Sequence, residues 1–172
     1  MQQVSKLNPS FQAIHSPQET VTLADWQGKQ RHYTFPTLFS DTTAVNLVYT
    51  ADYKKVLAML PEGIPKPIRV SPTKCLMIFT LLQYGEISDG MTGYNEFVVG
   101  TFVSQSRVPL LPALLRGSFK STGIYVFDMP VDIEENCHRG QEIWGLPKTM
   151  KQFEVMNKSG KFQCTVTDNN EL

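Results

Sequence analysis

Cysteine is scarce in this chain, and the three present, Cys75, Cys137 and Cys164, are widely scattered. So few, at such spacings, exclude a disulfide framework and fit no CxxC zinc pattern. They read as buried, reduced thiols of a cytoplasmic protein. An excess of one charge is also missing, because sixteen basic residues balance sixteen acidic ones. That balance gives no electrostatic case for nucleic acid or an anionic membrane as partner. No apolar run approaches the roughly 18–20 residues of a membrane span, and the longest, Cys75–Leu82, has the length of a buried strand. Residues 1–16 are polar and carry no apolar core of a secretory signal. Several catalytic signatures are absent as well: GxSxG, HExxH, a phosphate-binding glycine loop and a dinucleotide fingerprint. The histidines, His15, His32 and His138, lie far apart and read as ordinary surface residues, so no metal site is expected.

What is present is a composition able to fold: 41% hydrophobic and 19% charged over 172 residues, enough for one domain with its own core. Residues 1–35 are rich in Gln, Ser and Thr, with Trp26 as their largest apolar side chain. They read as a polar N-terminal arm with one short strand near Arg31–Phe35. Thr43–Tyr49 (TAVNLVY) is rich in β-branched and aromatic residues and predicts a strand. Thr50 is placed to cap a short helix, on which Tyr53, Val56, Leu57 and Leu60 form one apolar stripe before Pro61 and Gly63 end it. Cys75–Gln83 and Asn95–Val103 predict two strands joined through Gly85–Gly93 (GEISDGMTG) as a hairpin or longer turn. Arg107–Gly117 carries two prolines and reads as a packed loop. Gly123–Met129 predicts a further strand. Ile133, Cys137 and Trp144 mark a second helix stopped by Gly145 and Pro147. Two final strands, Lys151–Met156 and Phe162–Thr167, flank a turn at Asn157–Gly160. Strands that dominate, two short helices and no βαβ alternation predict an α+β, mostly antiparallel domain or barrel.

The distinctive stretch is Gly140–Lys148 (GQEIWGLPK), a lysine directly behind a proline at a helix end. Proline fixes its own φ and restricts its neighbour, so the backbone into Lys148 has one direction. With Trp144, Leu146 and Met150 close in sequence, the amine can enter an apolar pocket. Desolvation disfavours an ammonium and leaves a neutral amine able to attack a carbonyl. The plainer alternative is a solvated loop lysine.

GQEIWGLPK resembles the acetoacetate decarboxylase motif G-R-E-x-x-G-x-P-K-K, whose first lysine forms a Schiff base and matches Lys148. Val45–Gly63 (VNLVYTADYKKVLAMLPEG) is similar to the family's strand-then-helix opening. Gly93-Tyr94-Asn95-Glu96 resembles its second motif, in which the glutamate lies in the active site and matches Glu96. The resemblance covers roughly residues 40–168. It implies a barrel-like acetoacetate decarboxylase-like fold over residues 36–172, incomplete at its C-terminus, and a homo-oligomer. The implied activity is decarboxylation of a small β-keto acid through a Schiff base on Lys148, without cofactor. Glu96 would orient substrate or move a proton, with Tyr94 and Trp144 lining the substrate site. Departures are plain too. The second lysine is Thr149, the motif arginine is Gln141, and the family's carboxylate-binding arginine and a further glutamate align near Thr42 and Thr80. Two rival functions follow: a Schiff-base aldolase or dehydratase acting on pyruvate-like substrates, and a non-catalytic barrel that binds a small ligand.

Overall fold

A computed structural model describes residues 18–25, 27–88, 91–105, 122–158 and 161–168. Their elements are, in order, β1 (Glu19–Ala24), β2 (Gln30–Phe35), β3 (Phe39–Asp52), α1 (Tyr53–Met59), β4 (Lys66–Pro67), β5 (Lys74–Ile87), β6 (Asn95–Ser104), β7 (Thr122–Val131), α2 (Glu134–Trp144), β8 (Lys148–Met150), β9 (Gln152–Lys158) and β10 (Lys161–Thr167). The main sheet has the order β3-β5-β6-β7-β8, with β4 on β6, while β1-β2 and β9-β10 are separate antiparallel pairs. Among the described residues strands dominate and two helices are present, in keeping with the sequence expectation. Among the described residues the main sheet is an open path with no closure between β3 and β8. No described helix is long and apolar enough to cross a membrane.

The chain divides into two compact units. One holds residues 45–81 and 97–129. There α1 is capped by Asp52, whose carboxylate accepts from Lys55 N at 3.0 Å, and not by Thr50. The cap lies nearer the apolar stripe because an N-cap carboxylate must reach the amide three residues on. Tyr53 and Val56 turn inward onto Cys75 and Met77, with Phe79, Val99 and Phe127 packed around them. Each such side chain contributes about 1.5–3 kcal/mol by leaving water. Thr80 Oγ1 meets Asn46 Oδ1 at 2.7 Å, and Tyr53 N donates to Thr73 O at 2.9 Å. One strand's number rises as the other's falls, so β3 and β5 are antiparallel here.

The other unit holds residues 1–44, 82–96 and 130–172. The sequence predicts one strand near Arg31–Phe35, but a full hairpin is formed, from Glu19 opposite Phe35 to Ala24 opposite Gln30. Asp25 organises its turn by accepting from Gln27 N, Lys29 N and Arg31 Nε, each at 2.9 Å. Burial works to raise the Asp25 carboxyl, yet the Arg31 and backbone bonds outweigh it and hold it below the usual range. Arg31 and Tyr33 both reach Glu135 on α2, and the His138 ring meets Ala24 O at 2.7 Å. Ile87, Tyr94, Val131 and Cys137 form the core of this unit. All three cysteines are free thiols, with Cys75 and Cys137 buried. Trp26, the 107–117 segment and residues 1–17 lie outside the described residues.

Candidate active site

Every group of the site belongs to the second of these units. Helix α2 begins without a side-chain cap, but Glu134 and Glu135 complement the positive end of its dipole. It stops at Gly145, whose φ of 62° is one that side-chain-bearing residues rarely adopt. Gly145 N then donates to Gln141 O and Leu146 N to Gly140 O, both at 3.0 Å, so the chain folds back along the helix. Pro147 follows, and β8 opens with Lys148 already facing inward.

The lysine stem lies across Gly140. A Cβ on that glycine would sit 2.6 Å from Lys148 Cε, so only a bare backbone leaves room for the side chain. Gln141, which stands where the motif has arginine, donates from Nε2 to Lys148 O at 2.7 Å and fixes the backbone beneath the amine. Lys148 is thereby 6% exposed, and its Nζ donates to Glu96 Oε2 at 2.7 Å. Glu96 is equally sheltered, at 5%. The carboxylate is aimed by its neighbour: Asn95 donates from N and Nδ2 to the two oxygens of Asp132, at 2.8 and 2.7 Å.

Tyr94 completes the centre, with its ring centroid 5.3 Å from Lys148 Nζ. Burial, and then the Glu96 charge, push the phenol well above its ordinary value. Tyr84 lies beside it, the two rings 4.7 Å apart at 33°, and the pair exchange backbone bonds of 2.9 and 3.0 Å. Burial, with Glu96 second, pushes the Tyr84 phenol up to about 12. The arrangement therefore holds an amine, a carboxylate within proton-transfer reach and two phenols that stay protonated at neutral pH.

Lys148, Glu96 and Tyr94 are thus brought together. Trp144 is placed differently: it is 52% exposed and meets Phe35 edge-on at 5.7 Å and the Arg139 guanidinium at 5.3 Å. Thr149, in the position of the motif's second lysine, is exposed. Sequence reasoning passed over Tyr84, Asn136 and Arg139. Arg139 is 2% exposed, donates to Met91 Sδ at 2.7 Å and to Thr37 Oγ1, and lies 5.1 Å from the Tyr33 ring. Asn95 Oδ1 and Asn136 Nδ2 are buried without a hydrogen-bond partner, the kind of groups that a bound polar molecule satisfies. Asn136 and Gly140 are one turn apart on α2, which puts both on one face. That spacing is the signal that was available. Among the described residues no cluster of His, Cys, Asp and Glu suits a metal ion.

Comparison with known proteins gives the same direction. The acetoacetate decarboxylase (ADC) family matches residues 23–172. Two solved structures are similar in fold. One, described as structural studies of acetoacetate decarboxylase, is 21% identical with a TM-score of 0.60. It is matched by 78% of this chain, over 47% of its own. The other is acetoacetate decarboxylase from Legionella pneumophila subsp. pneumophila str. Philadelphia 1, 16% identical with a TM-score of 0.59. There the shares are 77% of this chain and 45% of that one. This chain therefore spans about half the length of the solved structures it matches. No curated protein matches it.

Proposed function

The chain belongs to the acetoacetate decarboxylase family, and from that premise we propose that it is a carboxy-lyase acting on a small β-keto acid through a Schiff base on Lys148. The observation that carries the reading is the buried Lys148 Nζ held 2.7 Å from Glu96 Oε2. An amine must lose a proton before it attacks, and Glu96 is positioned to take it. Nζ then bonds to the ketone carbon. Glu96 returns the proton as water leaves, giving a protonated imine. The bond to the carboxylate breaks, carbon dioxide departs, and the electron pair moves into the imine to form an enamine. Protonation at carbon and hydrolysis release the ketone and restore the lysine. Gly140 and Gln141 set the amine's position, and Tyr94 forms a wall beside it.

Barrel-like closure of the sheet belongs to the same proposal, supported by the strand-rich fold shared with the two solved decarboxylases. So do assembly into a homo-oligomer and a cytoplasmic location, the latter supported by the free cysteines.

Borohydride trapping tests the mechanism. The protein is incubated with acetoacetate or with pyruvate, reduced, and mapped by peptide mass. The expected result is an acetoacetate-derived adduct on Lys148, lost in Lys148→Ala, together with release of carbon dioxide. An adduct formed from pyruvate alone would move the reading to aldol or dehydration chemistry. A folded protein that gives no adduct with either acid would sink the Schiff-base mechanism and favour a ligand-binding role.

A further inference from the structure

A β-keto acid enters its site as an anion, and the bond that breaks is the one to its carboxylate. The reacting centre already holds a carboxylate of its own, since Lys148 Nζ donates to Glu96 Oε2 at 2.7 Å with both residues buried. Like charges sharing a buried site repel, so the substrate carboxylate must lie on the side of the amine away from Glu96. Glu96 stands on β6, whereas the lysine stem rests on Gly140 of α2. The helix is therefore the wall on which a partner for the substrate carboxylate is to be sought.

We propose that Asn136 on α2 holds the substrate carboxylate through its side-chain amide and so selects β-keto acids over α-keto acids. The inference rests on the Schiff-base reading of Lys148 and names the carboxylate's partner within it. Asn136 is 4% exposed, and its Nδ2 has no hydrogen-bond partner among the described residues. A buried donor left unpaired is costly, and a bound acceptor removes that cost. Residues four apart on a helix share a face, so Asn136 projects from the face that carries Gly140, one turn nearer the helix start. The first turn of α2 is also where its dipole favours an anion. Of the two acids there, Glu135 accepts from Arg31 and Tyr33, and Glu134 is exposed. Asn95 Oδ1, the other buried amide atom without a partner, is an acceptor and offers nothing to a carboxylate. Consecutive strand residues point to opposite faces, so the Asn95 side chain leads away from Glu96 and the amine.

A neutral amide suits the step. The carboxylate loses its charge as carbon dioxide leaves and the electron pair of the broken carbon–carbon bond moves into the imine. A cation at that place would stabilise the charged ground state more than the transition state and slow the loss. An amide N–H orients the carboxylate with less of that penalty. Its reach sets the acid. In an α-keto acid the carboxylate is attached to the ketone carbon itself, and in a β-keto acid it stands one carbon further out. Four residues of helix, about 6 Å of rise, separate Asn136 from the glycine beneath the lysine stem, which suits the longer arm.

Asn136→Leu in the full chain tests the contact, with acetone as a probe that forms an imine but carries no carboxylate. Replacing an unpaired buried donor by an apolar side chain of the same shape should leave the denaturant midpoint unchanged or raised. Borohydride trapping of acetone on Lys148 should be unaltered. The acetoacetate concentration needed for half-maximal trapping should rise about tenfold or more, the loss that one hydrogen bond to a charged group brings. Asn136→Asp should weaken acetoacetate further and again spare acetone, because a like charge then faces the carboxylate. Acetoacetate trapped as readily by Asn136→Leu as by the unaltered protein overturns the proposal. So does an equal loss for both probes, which a merely structural amide would give. Failure of the unaltered protein to trap either compound overturns the Schiff base and the carboxylate site with it.

Discussion

At the scale of single residues, the strongest commitment in the molecule is the ion pair between Lys148 and Glu96. Both side chains are almost fully withdrawn from water, at 5% and 7% exposure. Taking two charges out of water is offset only by their mutual attraction and by the remaining hydrogen bonds. Removing one partner strands the other, so Glu96→Leu should destabilise the fold by about 3–5 kcal/mol. The double variant Glu96→Leu with Lys148→Met should recover much of that loss, because two apolar groups of similar volume need no counter-charge. Denaturant midpoints of the three proteins check this. A double variant no more stable than Glu96→Leu alone would show that the pair is not the energetic unit described. This is also why the pair was only half legible in the sequence. Pro147 and Gly145 announce a fixed lysine, but its partner lies 52 residues away. Only the likeness of Gly93–Glu96 to a known motif pointed to it. The role of Gln141 as a backbone clamp had no sequence signal, because an amide at a helix end is usually solvated.

At the scale of elements, the helices and long strands were legible because their patterns are local. The stripe Tyr53–Val56–Leu57 marks α1, and the β-branched and aromatic runs mark β3, β5, β6 and β7. The hairpin β1–β2 was half missed because its stability comes from Asp25, Arg31 and Glu135 and not from an apolar alternation. Tyr84 was legible in principle. A hairpin centred near residue 89 sets 84 against 94, but the loop length left the register open. The packing of Lys148 on Gly140 gives an element-scale prediction with two opposed effects. Gly140→Ala favours α2 by up to about 1 kcal/mol through helix propensity. The new methyl also meets the lysine stem, and a flexible stem moves where backbone would not. The stem gives way, so thermal stability should be retained while adduct formation at Lys148 is lost. A Gly140→Ala protein that still traps substrate at the normal rate would refute the fit of stem to helix.

For the whole molecule, the buried phenols set a limit on stability in alkali. Tyr84 and Tyr94 have raised values in the folded state, so above pH 10 the unfolded chain gives up protons that the folded chain keeps. Where the unfolded state binds fewer protons, stability falls as pH rises. The contribution is therefore intact below about pH 10, the ordinary tyrosine value, and declines through about 12. Urea midpoints measured from pH 8 to 12 should drop across that window, and the drop should be shallower in Tyr84→Phe. An identical slope in the variant would mean that other groups control the alkaline limb.

The fold-back of the chain after α2 has a consequence in the order of assembly. The Gln141–Lys148 bond closes a loop across 7 positions, whereas the Lys148–Glu96 bond closes one across 52. The entropy of loop closure grows with the logarithm of length, so the second costs about 1.8 kcal/mol more than the first. Lys148 is therefore seated against its own helix by a cheap, short-range event, and the carboxylate reaches it only when the distant strand docks. The nucleophile's seat is thus local and entropically cheap, whereas its pairing with the proton acceptor depends on long-range docking.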